Sequence, residues 1–343
     1  MKSKSLTAID LFSGCGGLTE GLRQARFDVL AAVEIENIAA QVYKKNHRKV
    51  VMFEQDISTL SPRKLMKKVG LKKGELDLLA GCPPCQGFSS LRTRNGAKRN
   101  RDQRNLLVKQ IVRYAKALKP RAVMLENVPM LAQNNLFKAI VQDLTDLKYQ
   151  VIYKVADAAD FGVPQRRKRL IMLATLGFAP SFDKPRSRIV TVRDAIGKMP
   201  RPGVSGDSLH RSDMSRRSDR VLEIIRKIPK NGGSRKSLPE ELQLDCHKRK
   251  PGFNDVYGRM AWDKVSPTIT GGCYNPSKGR FLHPTQDRPI TLREAAMLQG
   301  FKKSYYFDAS LSQQATALMI GNALPPPLIK HHAKSIARQL EQK

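Results

Sequence analysis

Over the first half of the chain, short apolar runs alternate with amphipathic stretches. Residues 6–12 read as an apolar strand, the turn Ser13-Gly14-Cys15-Gly16-Gly17 follows, and Leu18, Leu22 and Ala25 then repeat at helical spacing. Further strands are predicted over 29–33, 50–53 and 76–80, with a helix opening at Ser61-Pro62 before the last of them. Beyond these, 105–118 reads as an amphipathic helix, 121–128 as a strand, 135–147 as a helix, and 149–155 and 170–174 as strands. Strands separated by helices predict an α/β fold with an open, doubly wound sheet, which binds its ligands in loops at the carboxyl ends of the strands.

The pattern changes near residue 179. Pro, Gly, Ser, Arg and Lys dominate as far as 252, with short helices predicted at 192–196 and 221–228 and short strands at 259–262 and 266–272. This predicts a smaller, loop-rich, basic second domain. A helix over 291–300, with Thr291 as N-cap and Gly300 as its stop, and an apolar-periodic helix over 328–340 close the chain. The expected division is a first domain of 1–178 completed by 310–343, and a second of 179–309.

Composition narrows the partners. With 343 residues, 41% of them apolar, the chain can bury a proper core, and its net charge of +32 calls for a polyanion, nucleic acid ahead of an anionic membrane surface. Five cysteines at irregular spacing (Cys15, Cys82, Cys85, Cys246, Cys273) argue against a disulfide framework and for a reducing compartment, and no Cys/His set completes a zinc site, so no metal is expected. No apolar run reaches membrane-spanning length, and the first residues lack the apolar core of a signal peptide. A soluble intracellular protein is expected.

Four places carry candidate chemistry. Cys85 lies in the loop leaving the strand 76–80, and Pro83 and Pro84 stiffen that loop without backbone donors. A nucleophilic thiolate, a Cys82/Cys85 redox pair and a buried structural cysteine all remain open for it. The glycine turn 13–17 lets backbone approach a ligand, and Glu34 stands at the distance along the chain where an acid takes ribose hydroxyls in dinucleotide folds; Thr19, however, occupies the place of that fingerprint's third glycine. Glu126, ending the apolar strand 121–128, is a proton-donor candidate or an ordinary strand-end carboxylate. The basic segment 91–101 suits a lid over a phosphate backbone, and 166–169 is by itself a basic surface patch or a localisation-like cluster.

The string Pro-Pro-Cys-Gln-Gly-Phe-Ser around Cys85 resembles the nucleophile loop of the DNA cytosine-5 methyltransferases of bacterial type. Asp10-Leu11-Phe12-Ser13-Gly14-Cys15-Gly16-Gly17 resembles the S-adenosylmethionine loop of the same family, and Gln55-Asp56-Ile57, Glu126-Asn127-Val128-Pro129, Gln165-Arg166-Arg167-Lys168-Arg169 and Gly321-Asn322 match further motifs in order. The resemblance implies a Rossmann-like S-adenosylmethionine methyltransferase fold with a target-recognition domain. It also implies a cofactor pocket of Phe12, Gly14, Gly16, Gly17, Glu34, Ile35, Asp56, Ile57, Pro84, Leu107 and Asn322: Phe12 and Ile57 on the adenine, Asp56 at its amino group, Glu34 on the ribose.

Catalysis is expected from Cys85, Glu126, Arg167 and Arg169, the two arginines alternating on one strand face toward the active site. DNA contacts are expected from Ser89, Arg92, Arg94, Lys98, Arg99, Thr268 and Thr270. The implied activity is sequence-specific methylation of C5 of a flipped-out cytosine in double-stranded DNA through a covalent Cys85 adduct. A bacterial cytoplasmic, nucleoid-associated monomer is expected, alongside a separately acting cognate restriction endonuclease. The rivals are methylation of transfer RNA on the same scaffold and a catalytically silent DNA-binding protein.

Overall fold

The computed structural model describes residues 5–84, 103–185, 188–212, 214, 217–244 and 255–342. The chain divides into two compact units, the first made of Met1–Phe161, Lys168–Arg186 and Leu324–Lys343, the second of Gly162–Arg167 and Ser187–Ala323.

In the first unit the strands β1 (Thr7–Leu11), β2 (Asp28–Glu34), β3 (Val51–Glu54), β4 (Leu78–Gly81), β5 (Ala122–Asn127), β6 (Tyr149–Asp157) and β7 (Lys168–Leu176) form one sheet in the order β3-β2-β1-β4-β5-β7-β6. The five strands from β3 to β5 in that order are parallel, whereas β7 runs antiparallel to both β5 and β6. Strand order reverses between β1 and β4, so the loops leaving these two neighbours diverge and open a crevice at their carboxyl ends. The glycine turn leaves β1 there and the Cys82-Pro83-Pro84 segment leaves β4, with Leu11 opposite Gly81 and Gly81 opposite Leu125 in register.

Alternation along the buried strands sends Ile9, Leu11, Leu79, Val123 and Leu125 into one core. Ile111, Tyr114 and Leu118 of α4 (Lys109–Leu118) and Phe137, Ile140 and Leu144 of α5 (Asn135–Asp146) fill that core; α1 (Gly17–Gln24), α2 (Asn37–Asn46) and α3 (Pro62–Lys68) precede them in the chain. The predicted helix over 105–118 is in fact two elements, a 3-10 turn at Gln103–Val108 and then α4.

The second unit contains α6 (Val192–Ile196), α7 (Asp219–Lys227), α8 (Leu292–Leu298) and α9 (Gln313–Asn322). The strands expected at 259–262 and 266–272 do not form; Arg259 and Ser266 make isolated bridges only. Arg259 explains the first case, because its fully buried guanidinium donates to the carbonyls of Ile225, Ile228, His283 and Gln286 and the chain wraps around it. A small core of Ile224, Ile225, Ile228, Leu238 and Leu282 packs beside it. In α8, Thr291 caps the helix reciprocally with Glu294, and Arg288 grips the buried Glu294 carboxylate with two bonds of 2.7 Å. Burial pushes that carboxyl up, but Arg288 outweighs it and leaves Glu294 below its usual range.

The unit boundaries differ from the expected ones: residues 310–323 belong to the second unit, as do 162–167, and the chain re-enters the first unit at Leu324. There α10 (Pro326–Glu341) packs on α1. The approach requires glycine, since a Cβ on Gly17 would stand 2.3 Å from the Leu324 carbonyl oxygen and one on Gly21 would stand 2.5 Å from Cβ of Ile329.

Candidate active site

The glycine turn is built on strained backbone. Phe12 has φ 63°, Gly14 φ 53° and Gly16 φ 100°, the left-handed region that only glycine enters without cost. The turn is held to β2 by Ser13 N to Val33 O (3.0 Å) and by Gly14 N, which donates to Glu34 Oε2 at 2.7 Å, while Glu36 N donates to Oε1 at 2.8 Å. Glu34 therefore fixes the loop while keeping unused lone pairs on both oxygens. Burial raises its carboxyl above the usual range, with the amides of Glu36 and Gly14 pulling the other way.

Behind the turn, Asp10 is wholly buried; Oδ2 accepts from the Thr19 hydroxyl at 2.7 Å, and burial pushes its pKa up to about 7. Asp10 Oδ1 and Ser13 Oγ are buried with no hydrogen-bond partner among the described residues, and the space beside Gly14 is open. Asp56 uses Oδ1 for the amide and hydroxyl of Ser58, leaving Oδ2 open, and Ile35 is 61% exposed. The unshared Asp56 oxygen, the exposed apolar Ile35 and the open space beside Gly14 suit an adenosyl ligand bearing an amine and hydroxyls.

Ile57 is 4% exposed and packs in the core with Leu60 and Leu65. Leu107 is half-buried against the same core, and its neighbour Leu106 is exposed. Asn322 ends α9 in the second unit, exposed.

At the ends of β4 and β5 the structure assembles an acid with its holders. Glu126 is 2% exposed, and its Oε2 accepts from the Cys82 thiol at 2.8 Å. Arg169 Nε stands 2.9 Å from Oε1 as an ion pair lying off the hydrogen-bond axis. The antiparallel course of β7 makes this possible: it pairs Ile171 with Glu126, which leaves Arg169, near the start of β7, at the carboxyl end of β5. Asn127, also buried, donates to Pro83 O at 3.0 Å and so pins the root of the loop that carries Cys85.

Arg167 precedes β7 and is buried in the second unit, where its guanidinium donates to the carbonyls of Ile269 (3.0 Å) and Gly321 (2.9 Å) and ties these chain segments together. In the same unit Thr268 spends its hydroxyl proton on Arg166 O, and Thr270 Oγ1 accepts from Gly272 N. Cys85, Ser89, Arg92, Arg94, Lys98 and Arg99 lie outside the described residues. Pro84 is half-buried at the edge of the described segment. Sequence reasoning missed Cys82 as a partner of Glu126, and Asp10 and Asn127 as buried polar groups of the site; the position of both Asp10 and Asn127 at a strand end was the available signal.

The glycine turn at the strand-order reversal and a buried acid paired with an arginine thus stand at the carboxyl ends of parallel strands of one sheet. The family described as C-5 cytosine-specific DNA methylase matches residues 6–338, and the chain belongs to that family, whose members depend on S-adenosylmethionine and act on DNA. It is 38% identical to the Type II methylase M.HgiDII of Herpetosiphon aurantiacus, over 97% of this chain and 95% of that protein. It is 36% identical to the Type II methyltransferase M1.HphI of Haemophilus parahaemolyticus, over 97% and 87%. A prophage-encoded DNA modification methyltransferase of E. coli superposes with a TM-score of 0.75 at 23% identity, covering 99% of this chain and all of that one, which supports the Rossmann-like methyltransferase fold. The enzyme is a DNA (cytosine-5) methyltransferase.

Proposed function

We propose that Phe12, the glycine turn, Glu34, Ile35 and Asp56 hold S-adenosylmethionine, and that Glu126 and Arg169 work with Cys85 on a flipped-out cytosine. When bound, S-adenosylmethionine supplies the methyl group for C5. Cytosine C5 is too weak a nucleophile alone, so the Cys85 thiolate adds to C6 while Glu126 gives a proton or hydrogen bond to N3, turning C5 into an enamine carbon. A base, for which water can serve, then takes the C5 proton, the electron pair left behind restores the C5–C6 double bond, and sulfur departs from C6 as the Cys85 thiolate. Arg169, paired with Glu126 Oε1, orients the carboxylate and brings positive charge toward the pyrimidine carbonyl. Flipping the base costs about a few kcal/mol, offset by phosphate contacts from Arg92, Arg94, Lys98 and Arg99.

The second unit, with Thr268 and Thr270, would choose the target sequence. The biological setting would be a restriction-modification system in the bacterial cytoplasm, with a monomeric methylase and a separate endonuclease. Among the described residues no helix is long and apolar enough to cross a membrane, and no group of three or more His, Cys, Asp or Glu side chains could hold a metal. The observation that carries the reading is the buried Glu126 held beside Arg169 at the root of the cysteine loop. Bisulfite sequencing of DNA from cells expressing the chain tests it: protected cytosines within one short motif are expected. Unmodified DNA together with methylated transfer RNA would favour the rival substrate.

A further inference from the structure

Cys82 has no part in the chemistry above, yet it makes the one hydrogen bond that the Glu126 carboxylate receives among the described residues. Its place is fixed from both sides. Cys82 N donates to Leu11 O at 3.2 Å, tying it to β1, and the carbonyl of the next residue, Pro83, accepts from Asn127. We infer that Cys82 is a positioning residue for Glu126, an inference that rests on Glu126 being the acid that engages cytosine N3.

The argument is one of directions. A carboxylate held only by the Arg169 ion pair at Oε1 can still swing, because that contact lies off the hydrogen-bond axis. The Cys82 thiol at 2.8 Å from Oε2 supplies the second anchor and sets the plane of the group. In this contact the thiol is the donor and the carboxylate oxygen the acceptor. The two cysteines of Cys82-Pro83-Pro84-Cys85 thus take different parts: the first orients the acid and the second attacks the base. Because Oε2 keeps a second lone pair, that position can carry the proton shared with cytosine N3 while the thiol stays in place.

The test compares C82A and C82S in the full-length enzyme with S-adenosylmethionine and target DNA. C82A should lower kcat about 10- to 100-fold, the range for one hydrogen bond to a charged acceptor, with KM for both substrates within about twofold, and C82S should recover most of the rate. In an E126Q background the C82A effect should vanish, since both changes act through one group. A wild-type rate in C82A, equal impairment in C82A and C82S, or effects that simply add in the double variant would each overturn the role. A fully active E126Q would instead sink the reading of Glu126 on which it rests. If C82A does not fold, maleimide labelling of Cys82, mapped by mass spectrometry in wild type and E126Q, serves in its place. Faster labelling in E126Q supports the contact, and an unchanged rate refutes it.

Discussion

Replacing Glu34 by alanine removes two acceptors at once, the Oε2 that takes Gly14 N and the Oε1 that takes Glu36 N. Each bond to a charged acceptor is worth about 1.5–3 kcal/mol, but Glu34 is partly open to solvent and water replaces much of that in the free protein. The fold should therefore lose little. The cofactor should lose more, because the turn it needs relaxes and the proposed ribose acceptor goes with it. A weakening of about 1–3 kcal/mol is expected, roughly a 5- to 150-fold rise in Kd for S-adenosylmethionine. Glu34→Gln separates the two roles. Its single carbonyl can take one amide, while its NH2 faces a donor, so it should fall between alanine and wild type. Titration calorimetry with S-adenosylmethionine and S-adenosylhomocysteine, with circular dichroism to check the fold, measures both variants. An Ala variant that is folded and binds both ligands at wild-type affinity would remove Glu34 from the site.

Three further outcomes are expected. Arg288→Met leaves Glu294 buried without its partner and should cost about 3–5 kcal/mol in urea unfolding of the second unit; a loss under about 1 kcal/mol would contradict the pairing. Burial lowers the pKa of His47 and His283 to about 4 and of His332 to about 3, so from pH 6.5 down to 4 the unfolded chain takes up protons that these three refuse, and stability falls with pH. Asp10, raised to about 7, and Glu34, also raised, work in the opposite direction over the same window; His332→Phe should remove its share of the histidine slope, and an unchanged pH dependence in that variant would refute the argument. Neutralising Arg92, Arg94, Lys98 and Arg99 together should make the salt dependence of DNA binding shallower by about 3–4 in log–log slope and leave the methylated sequence unchanged in bisulfite maps; a changed sequence would mean that the loop reads bases.

The parallel strands were legible because strands buried on both faces are continuous apolar runs, and their ends coincide with Gly14, Glu34 and Glu126. Other elements carried weaker signals. The helix Asn37–Asn46 buries only Ala40, Val42 and Tyr43, and Gln313–Asn322 has no one-sided apolar stripe, so neither stood out by period. In the second unit, β-branched stretches such as Thr268-Ile269-Thr270 resemble strands. There, however, buried side chains take up main-chain groups that a ladder would otherwise pair: Arg259 and Arg167 bind carbonyls, and Gln165 Oε1 accepts from Ile269 N. Side-chain partners of this kind have no periodicity to read. Arg167 is a case in point: the strand begins only at Lys168, and the guanidinium before it is taken up by the carbonyls of Ile269 and Gly321. The pairing of Cys82 with Glu126 depends on β4 lying beside β5, which no local pattern reports.

The central claim is that Cys85 forms the covalent bond to cytosine while Glu126 serves the ring nitrogen. A target duplex carrying 5-fluorocytosine, incubated with the enzyme and S-adenosylmethionine, tests it most directly, because fluorine cannot leave as the C5 proton does and the adduct accumulates. Digestion and mass spectrometry should find the nucleotide on Cys85, and adduct formation should be strongly slowed in E126Q. An adduct on Cys82, or none on a duplex whose unmodified form the enzyme methylates, would contradict the account.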